Sequence, residues 1–270
     1  MASNKREREL ARMRAERQAA RRAASEARRR QRRNAILVAT SVAAVVAVVV
    51  AVALVAGLGS SPKKKTPPVT TLSSSTKYGN TGGSATCSYT KNGTAARTLD
   101  GIPPVKGVRN TGTQKATFVT TRGTITATLL TSKAPCTVNS FVFLSQQAFY
   151  DQTPCPRVVS SGIFVLQCGD PTGTTSGGPG YAFADENLTG ATYPAGTLAM
   201  ANSATPASNG SQFFMVYKAS QLPPSYTPFG TITGGLSVIE KVAAGGDDGS
   251  NSAGGGKPKL AISLTKVTVT

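Results

Sequence analysis

Arg157-Val158-Val159-Ser160-Ser161-Gly162-Ile163-Phe164-Val165-Leu166-Gln167-Cys168-Gly169-Asp170-Pro171-Thr172-Gly173 is the stretch on which a reading of this chain turns. Arg157 to Val159 and Ile163 to Leu166 are short β-rich runs joined through Ser160-Ser161-Gly162, a hairpin signal that runs into a glycine- and proline-bearing loop. Upstream, Ala116 to Thr121 and Thr124 to Leu130 make a second hairpin signal, split by Arg122-Gly123. Between the two hairpins, Thr137 to Gln147 sets Val138, Phe141, Val142 and Leu144 roughly on one face behind Pro135, the pattern of a short amphipathic helix. Downstream, Thr197 to Ala201, Gln212 to Tyr217 and Phe229 to Thr233 read as strands. Leu236 to Ala243 reads as a second short helix, and Leu260 to Val269 as a closing strand. About eight strands and two helices in so short a stretch suit a mainly β fold, a closed antiparallel barrel with helices at its ends. By periodicity alone a sandwich fits nearly as well.

The rest of the chain is built differently. Residues 1–34 carry 13 Lys/Arg against 4 Glu, about half of the formal net charge of +18. Directly after them, Ala35 to Leu58 is uninterrupted Ala, Val, Leu, Ile and Gly apart from Thr40 and Ser41. As a helix it would rise about 36 Å, enough to cross a hydrocarbon core of roughly 30 Å. The expectation is a single transmembrane helix with a basic cytoplasmic tail, and everything after Leu58 extracytoplasmic. A cleaved signal peptide is the rival, but its apolar region is usually shorter. The tail then serves topology and contact with anionic lipid head groups, and no nucleic-acid partner is expected because no reading motif accompanies the charge. Residues 59–113, rich in Thr, Ser, Gly, Lys and Pro, read as an extracytoplasmic, flexible linker, with Cys87 hinting that its later part is tied to the domain at 114–270.

All four cysteines, Cys87, Cys136, Cys155 and Cys168, follow the apolar stretch. An even number in an oxidising compartment favours two disulfides, and three pairings are open. The absence of histidine excludes Ser-His-Asp hydrolysis, Cys-His proteolysis and histidine-containing zinc sites. Gly254-Gly255-Gly256-Lys257 lacks the residues of a phosphate loop and reads as a loose loop. Asp185-Glu186 reads as a solvated loop charge rather than a catalytic pair.

Several segments remain, in order: Phe149-Tyr150-Asp151, Arg157-Val158-Val159, Phe164 to Gly173, Gly177-Gly178-Pro179-Gly180-Tyr181, Met200-Ala201-Asn202, Asn209-Gly210-Ser211-Gln212-Phe213-Phe214 and Phe229-Gly230. This set resembles the cyclophilin family of peptidyl-prolyl cis/trans isomerases over about residues 114–270. The Leu166 to Gly173 string looks like membrane or secreted cyclophilins of actinobacteria. The resemblance implies a closed eight-stranded barrel capped by two helices, and rotation of Xaa-Pro bonds in proline-containing polypeptides without a cofactor or metal. It makes Arg157, Phe164 and Gln167 the catalytic residues. Val165, Ala201, Asn202, Gln212, Phe214, Leu222 and Tyr226 become the substrate-binding residues, with Phe164, Val165, Phe214 and Leu222 around the proline ring.

Pro156 stands in place of the histidine that usually precedes the arginine, and Gln221 in place of a tryptophan tied to cyclosporin binding. These departures keep open a proline-peptide binding module or holdase with weak turnover. If residue 157 lies opposite 166 in the hairpin, Cys155 faces Cys168, which leaves Cys87 for Cys136.

Overall fold

In the computed structural model, which describes residues 72–270, the chain enters through β1 (Thr81–Ala85) and β2 (Thr90–Ala95), strands with almost every side chain exposed. The hairpin of β3 (Gln114–Thr120) and β4 (Gly123–Leu129) follows in unbroken register. Its alternation sends Ala116, Phe118, Ile125, Ala127 and Leu129 into the core. Then come α1 (Pro135–Gln146), β5 (Thr153–Pro154), β6 (Arg157–Val159), β7 (Val165–Cys168), β8 (Pro179–Ala182), β9 (Thr197–Met200), β10 (Phe213–Val216), β11 (Pro228–Gly234), α2 (Leu236–Ala244) and β12 (Ser263–Val269). The sequence-read helices and later strands are all present within a few residues, whereas β1, β2, β5 and β8 carry no pattern that announced them.

Nine strands make one antiparallel sheet in the order β5-β12-β3-β4-β11-β9-β10-β7-β6, and β2 pairs with β8 in a second, two-stranded sheet. The expected closed barrel of eight strands is therefore a curled sheet of nine. Its ladder is open between β5 and β6, which Cys155-Pro156 alone connects. Pro156 has no N–H to offer, and the Cys155 amide donates instead to the Ile262 carbonyl. Inside the curl, the Phe141 ring lies 5.0 Å from that of Tyr150, 5.5 Å from Phe229, 5.6 Å from Phe213 and 5.8 Å from Phe118. Helix α1 thus plugs the sheet with aromatic contacts worth about 0.5–1.5 kcal/mol per pair beyond their buried area.

α1 is not amphipathic as the sequence suggested. Every residue from Thr137 to Ser145 is buried, because residues 72–113 cover its outer side. Asn139 accepts from the Asn80 amide at 2.8 Å and donates to the Pro104 carbonyl at 2.9 Å and to the Tyr89 hydroxyl at 2.8 Å. Cys87, Tyr89, Ile102 and Val108 join the main core, and a disulfide ties Cys87 to Cys136 at the start of α1. The expected flexible linker is thus an ordered extension from residue 72 onward. Glu186, read as a solvated charge, caps α1: its carboxylate accepts from the Cys136 and Thr137 amides and the Thr137 hydroxyl.

The second disulfide joins Cys155 to Cys168, as expected, but by a different register. Arg157 faces Gln167, not residue 166, and Val159 faces Val165. The turn is therefore one residue longer than a pairing of 157 with 166 requires, with Gly162 at φ 76° inside it. The basic tail, the apolar stretch from Ala35 to Leu58 and the first part of the linker lie outside the described residues. Among the described residues no helix is long and apolar enough to cross a membrane.

Candidate active site

Side chains alternate across a strand, so each of β6, β7, β9 and β10 has two faces. One face sends Val158, Leu166, Cys168, Leu198, Met200, Phe213 and Met215 into the main core. The other sends Val159, Val165, Ala199, Phe214 and Val216 into a separate apolar cluster with Tyr193, against which Ala201, Leu222 and Tyr226 pack. Five of the expected substrate-binding residues, Val165, Phe214, Ala201, Leu222 and Tyr226, therefore share one apolar cluster. Arg157 and Gln167 face each other across the ladder, and Phe214 pairs with Gln167 on the other side of β7. The polar end of the site is the continuation of the same face.

The guanidinium of Arg157 is held at three points. Nε donates to the Gly254 carbonyl at 2.9 Å, Nη2 to the Ala253 carbonyl at 2.9 Å and Nη1 to Gln167 Oε1 at 3.1 Å. Arginine carries five N–H donors in a rigid fork, so one N–H on each terminal nitrogen is left for a substrate. Burial pulls the Arg157 pKa below its ordinary value, and the nearby Tyr226 hydroxyl acts in the opposite sense. From Gln167 the chain of bonds continues: Nε2 donates to Gln212 Oε1 at 2.8 Å, and Gln212 Nε2 to the Gly177 carbonyl at 2.9 Å.

That carbonyl is placed by Asp170, a buried residue whose carboxylate gathers the loop after β7. It accepts from the amides of Thr172, Thr174, Ser176 and Gly177 and from the Thr172 hydroxyl. Burial alone would raise its pKa, but these bonds outweigh it and hold the carboxyl below its ordinary value. The glycine string at 254–256, read as a loose loop, is likewise built onto the site. Gly256 and Val158 exchange both backbone hydrogen bonds, and a Cβ on Gly255, which sits at φ 70°, would collide with the Val158 carbonyl.

One expected residue falls differently. Phe164 lies in the turn rather than in β7 and is absent from the pocket cluster. Its ring meets Tyr217 at 6.0 Å, with Lys218 Nζ 4.6 Å from its centre. Strand alternation would in any case set residue 164 on the face of Leu166, opposite to that of Val165. Asn202 braces the site: its amide donates to the Ser225 carbonyl at 2.7 Å and its Oδ1 accepts from the Ala204 amide. The Ala201 amide is already donated to the Gln212 carbonyl at 3.0 Å, so any hold on a substrate backbone falls to its carbonyl.

The sequence reading missed Tyr193, whose hydroxyl donates to the Tyr226 carbonyl and accepts from the Tyr226 amide. It also missed Asp170 as the loop's organiser and the carbonyls of Ala253 and Gly254. Only Asp170 had a visible signal, an acid between Gly169 and Pro171 ahead of a run of Thr, Ser and Gly.

The fold is thus a curled antiparallel sheet with two helices, bearing an arginine–glutamine pair beside an apolar cluster on its outer face. Residues 115–269 match the family model described as cyclophilin type peptidyl-prolyl cis-trans isomerase/CLD, and the chain belongs to that family. It is 48% identical over 164 residues to a protein of Mycobacterium tuberculosis named probable peptidyl-prolyl cis-trans isomerase B, a match covering 56% of this chain and 52% of that protein. This chain thus spans about half the length of that relative. A peptidyl-prolyl cis-trans isomerase B of Streptomyces anulatus is 42% identical over 149 residues, 48% of this chain and 83% of that one. Among solved structures, a cyclophilin type isomerase of Cryptosporidium parvum, determined in the presence of the dipeptide Ala-Pro, aligns with a TM-score of 0.53 at 31% identity. It covers 58% of this chain and 99% of its own.

Proposed function

We propose that this chain accelerates cis/trans rotation of Xaa-Pro bonds in polypeptides outside the cytoplasm, and so assists the folding of secreted or cell-envelope proteins. The observation that carries the reading is the three-point seat of Arg157 next to the apolar cluster of Val165, Phe214, Leu222 and Tyr226. The rotation barrier is about 18–20 kcal/mol because the C–N bond has partial double-bond character. In the twisted amide the prolyl nitrogen regains a lone pair, and the free N–H groups of Arg157 are donors for it. A fork already seated on carbonyls needs little reorganisation to meet that charge. The pocket takes the pyrrolidine ring and excludes water, which strengthens the polar contacts at its edge. Gln167 orients the fork, and Gln212 and the Ala201 carbonyl grip the chain beside the proline. A grip through the main chain suits an enzyme that accepts many sequences.

Two disulfides support an oxidising compartment, and the apolar run from Ala35 to Leu58 behind Arg28 to Arg33 supports an anchor with the domain on the far side. The basic tail would then touch anionic head groups. The test is NMR exchange spectroscopy on a short Xaa-Pro peptide with the oxidised full-length chain. Faster cis/trans exchange at substoichiometric protein is the expected result. Peptide binding with an unchanged exchange rate would overturn the isomerase and leave a proline-binding module.

A further inference from the structure

Leu222 and Tyr226, both packed against the apolar cluster beside Arg157, sit on one loop between β10 and β11. Of residues 221–226 only Leu222 and Tyr226 are partly buried, and Pro223 and Pro224 have no amide to donate. A stretch of this kind does not order itself. Both of its ends are tied to one residue outside it, Tyr193. At the entry the Ser220 amide donates to the Tyr193 carbonyl at 3.1 Å. At the exit the Tyr193 hydroxyl donates to the Tyr226 carbonyl at 2.8 Å and accepts from the Tyr226 amide at 3.1 Å. A hydroxyl bonded to both peptide groups of one residue fixes that residue much as a β-ladder partner would. Among the described residues, the one further hydrogen bond to the loop from outside is that of the Asn202 amide to the Ser225 carbonyl. The Tyr193 ring is itself buried and lies 6.4 Å from the ring of Phe214 and 6.3 Å from that of Tyr226, which meets Phe214 edge-on at 5.5 Å. The clamp therefore stands on the sheet that carries the site.

We infer that Tyr193 is a positioning residue that sets how narrowly the site selects the five-membered proline ring. It acts through Tyr226 and Leu222 rather than by touching the substrate, and the identity of the ligand rests on the isomerase reading. A loop ordered before the ligand arrives loses no freedom on binding, so the contribution of the hydroxyl belongs to affinity and fit. The three bonds that seat Arg157 go to Ala253, Gly254 and Gln167, none of which lies in this loop. The donor for the twisted amide is thus independent of the clamp.

The experiment compares the oxidised full-length chain with Tyr193→Phe, which removes the hydroxyl and keeps the ring. Two peptides are used, one containing Ala-Pro and one with the six-membered pipecolic acid in place of proline. Affinity is read by NMR titration, kcat and KM by exchange spectroscopy, and the clamp itself by hydrogen exchange at the Tyr226 amide. In the variant that amide should exchange about tenfold faster. KM and Kd for the proline peptide should rise about tenfold with kcat held within about twofold, and the preference for proline over pipecolic acid should fall about fivefold. The preference compares two ligands on one protein, so a lower folded fraction does not change it. Gln221→Gly, at an exposed position, loosens the same loop without touching Tyr193 and should lower the preference about twofold. It decides the matter should Tyr193→Phe not fold.

An unchanged ring preference in these variants overturns the inference, and faster exchange at Tyr226 without that change would make Tyr193 only a brace. A fall in kcat as large as the rise in KM overturns it too, because the loop would then bear on the seat of Arg157. If neither protein speeds peptide exchange but affinity and ring preference shift as expected, the isomerase reading fails and the role of Tyr193 stands.

Discussion

The strands that carry the site and the extension that borders it are ordered by different means. In β6, β7 and β10 every second side chain enters the main core and the others form the pocket, so two burials hold each strand in register. In residues 72–113 the two strands bury almost nothing. Order comes from a few anchors, namely Cys87, Tyr89, Ile102, Val108 and the bonds to Asn139. A segment without an apolar pattern can thus be fixed by a neighbour that has one, at the cost of depending on single contacts. The first kind of order should resist local damage, and the second should give way when one anchor is lost.

The largest expected effect lies on the patterned side. Arg157→Ala should lower the catalysed exchange rate by about a hundredfold or more, the usual loss when a preorganised donor is removed. Amide hydrogen exchange in residues 72–113 should stay as in the wild type, because the guanidinium makes no contact there among its hydrogen bonds. Increased exchange across the extension would break the division between the two regions.

Replacing both Cys87 and Cys136 by Ser should do the reverse. Closing a loop of this length is worth about 2–4 kcal/mol, and the bridge spans 49 residues of sequence. Urea unfolding should show a loss of that size, and hydrogen exchange should speed first in residues 72–113 while β6, β7 and β10 keep their protection.

Asp170→Asn tests the joint between the regions, since Asp170 holds the loop whose Gly178 carbonyl the extension uses. Losing the ion's bonds to the loop amides, which are only partly buried, should cost about 1–3 kcal/mol near pH 7. The folded Asp170 carboxyl titrates below its ordinary value. Its stabilisation is therefore complete above the unfolded value of about 3.9 and is lost as pH falls through the lower folded value. The gap between wild type and variant in urea midpoints should close over that acidic window, and a gap that persists at the lowest pH would remove the charge from the explanation.

The smallest effect is expected at Gly255→Ala, which disturbs the loop behind Arg157 rather than the arginine itself. About a tenfold fall in kcat with a smaller change in KM would mark the loop as a positioning element. Equal changes in both would point to a damaged pocket instead.

Much of this was legible in the chain. The alternation in Arg157 to Val159, Val165 to Gln167 and Gln212 to Phe214 puts Arg157, Gln167 and Gln212 on one face with Val165 and Phe214, and the ordered motifs identified the family. Both disulfides were read correctly, although the hairpin register behind one of them was off by a residue. The start of β7 was misread for the same reason: turn length decides which residue begins a strand, and it begins at Val165, not Ile163. The linker was misread because composition reports what a segment can bury by itself, not what a neighbour will let it cover.

By itself the sequence determined which side chains share a face, because periodicity is a local property that each strand carries with it. The tertiary structure alone decided what seats and borders those side chains. The Gly254 carbonyl meets Arg157 across 97 residues of chain, and residues 92–94 meet Gln212 across a cavity. Contacts between backbone groups of distant, patternless loops depend on how the whole sheet curls, and no short window of sequence encodes that curl.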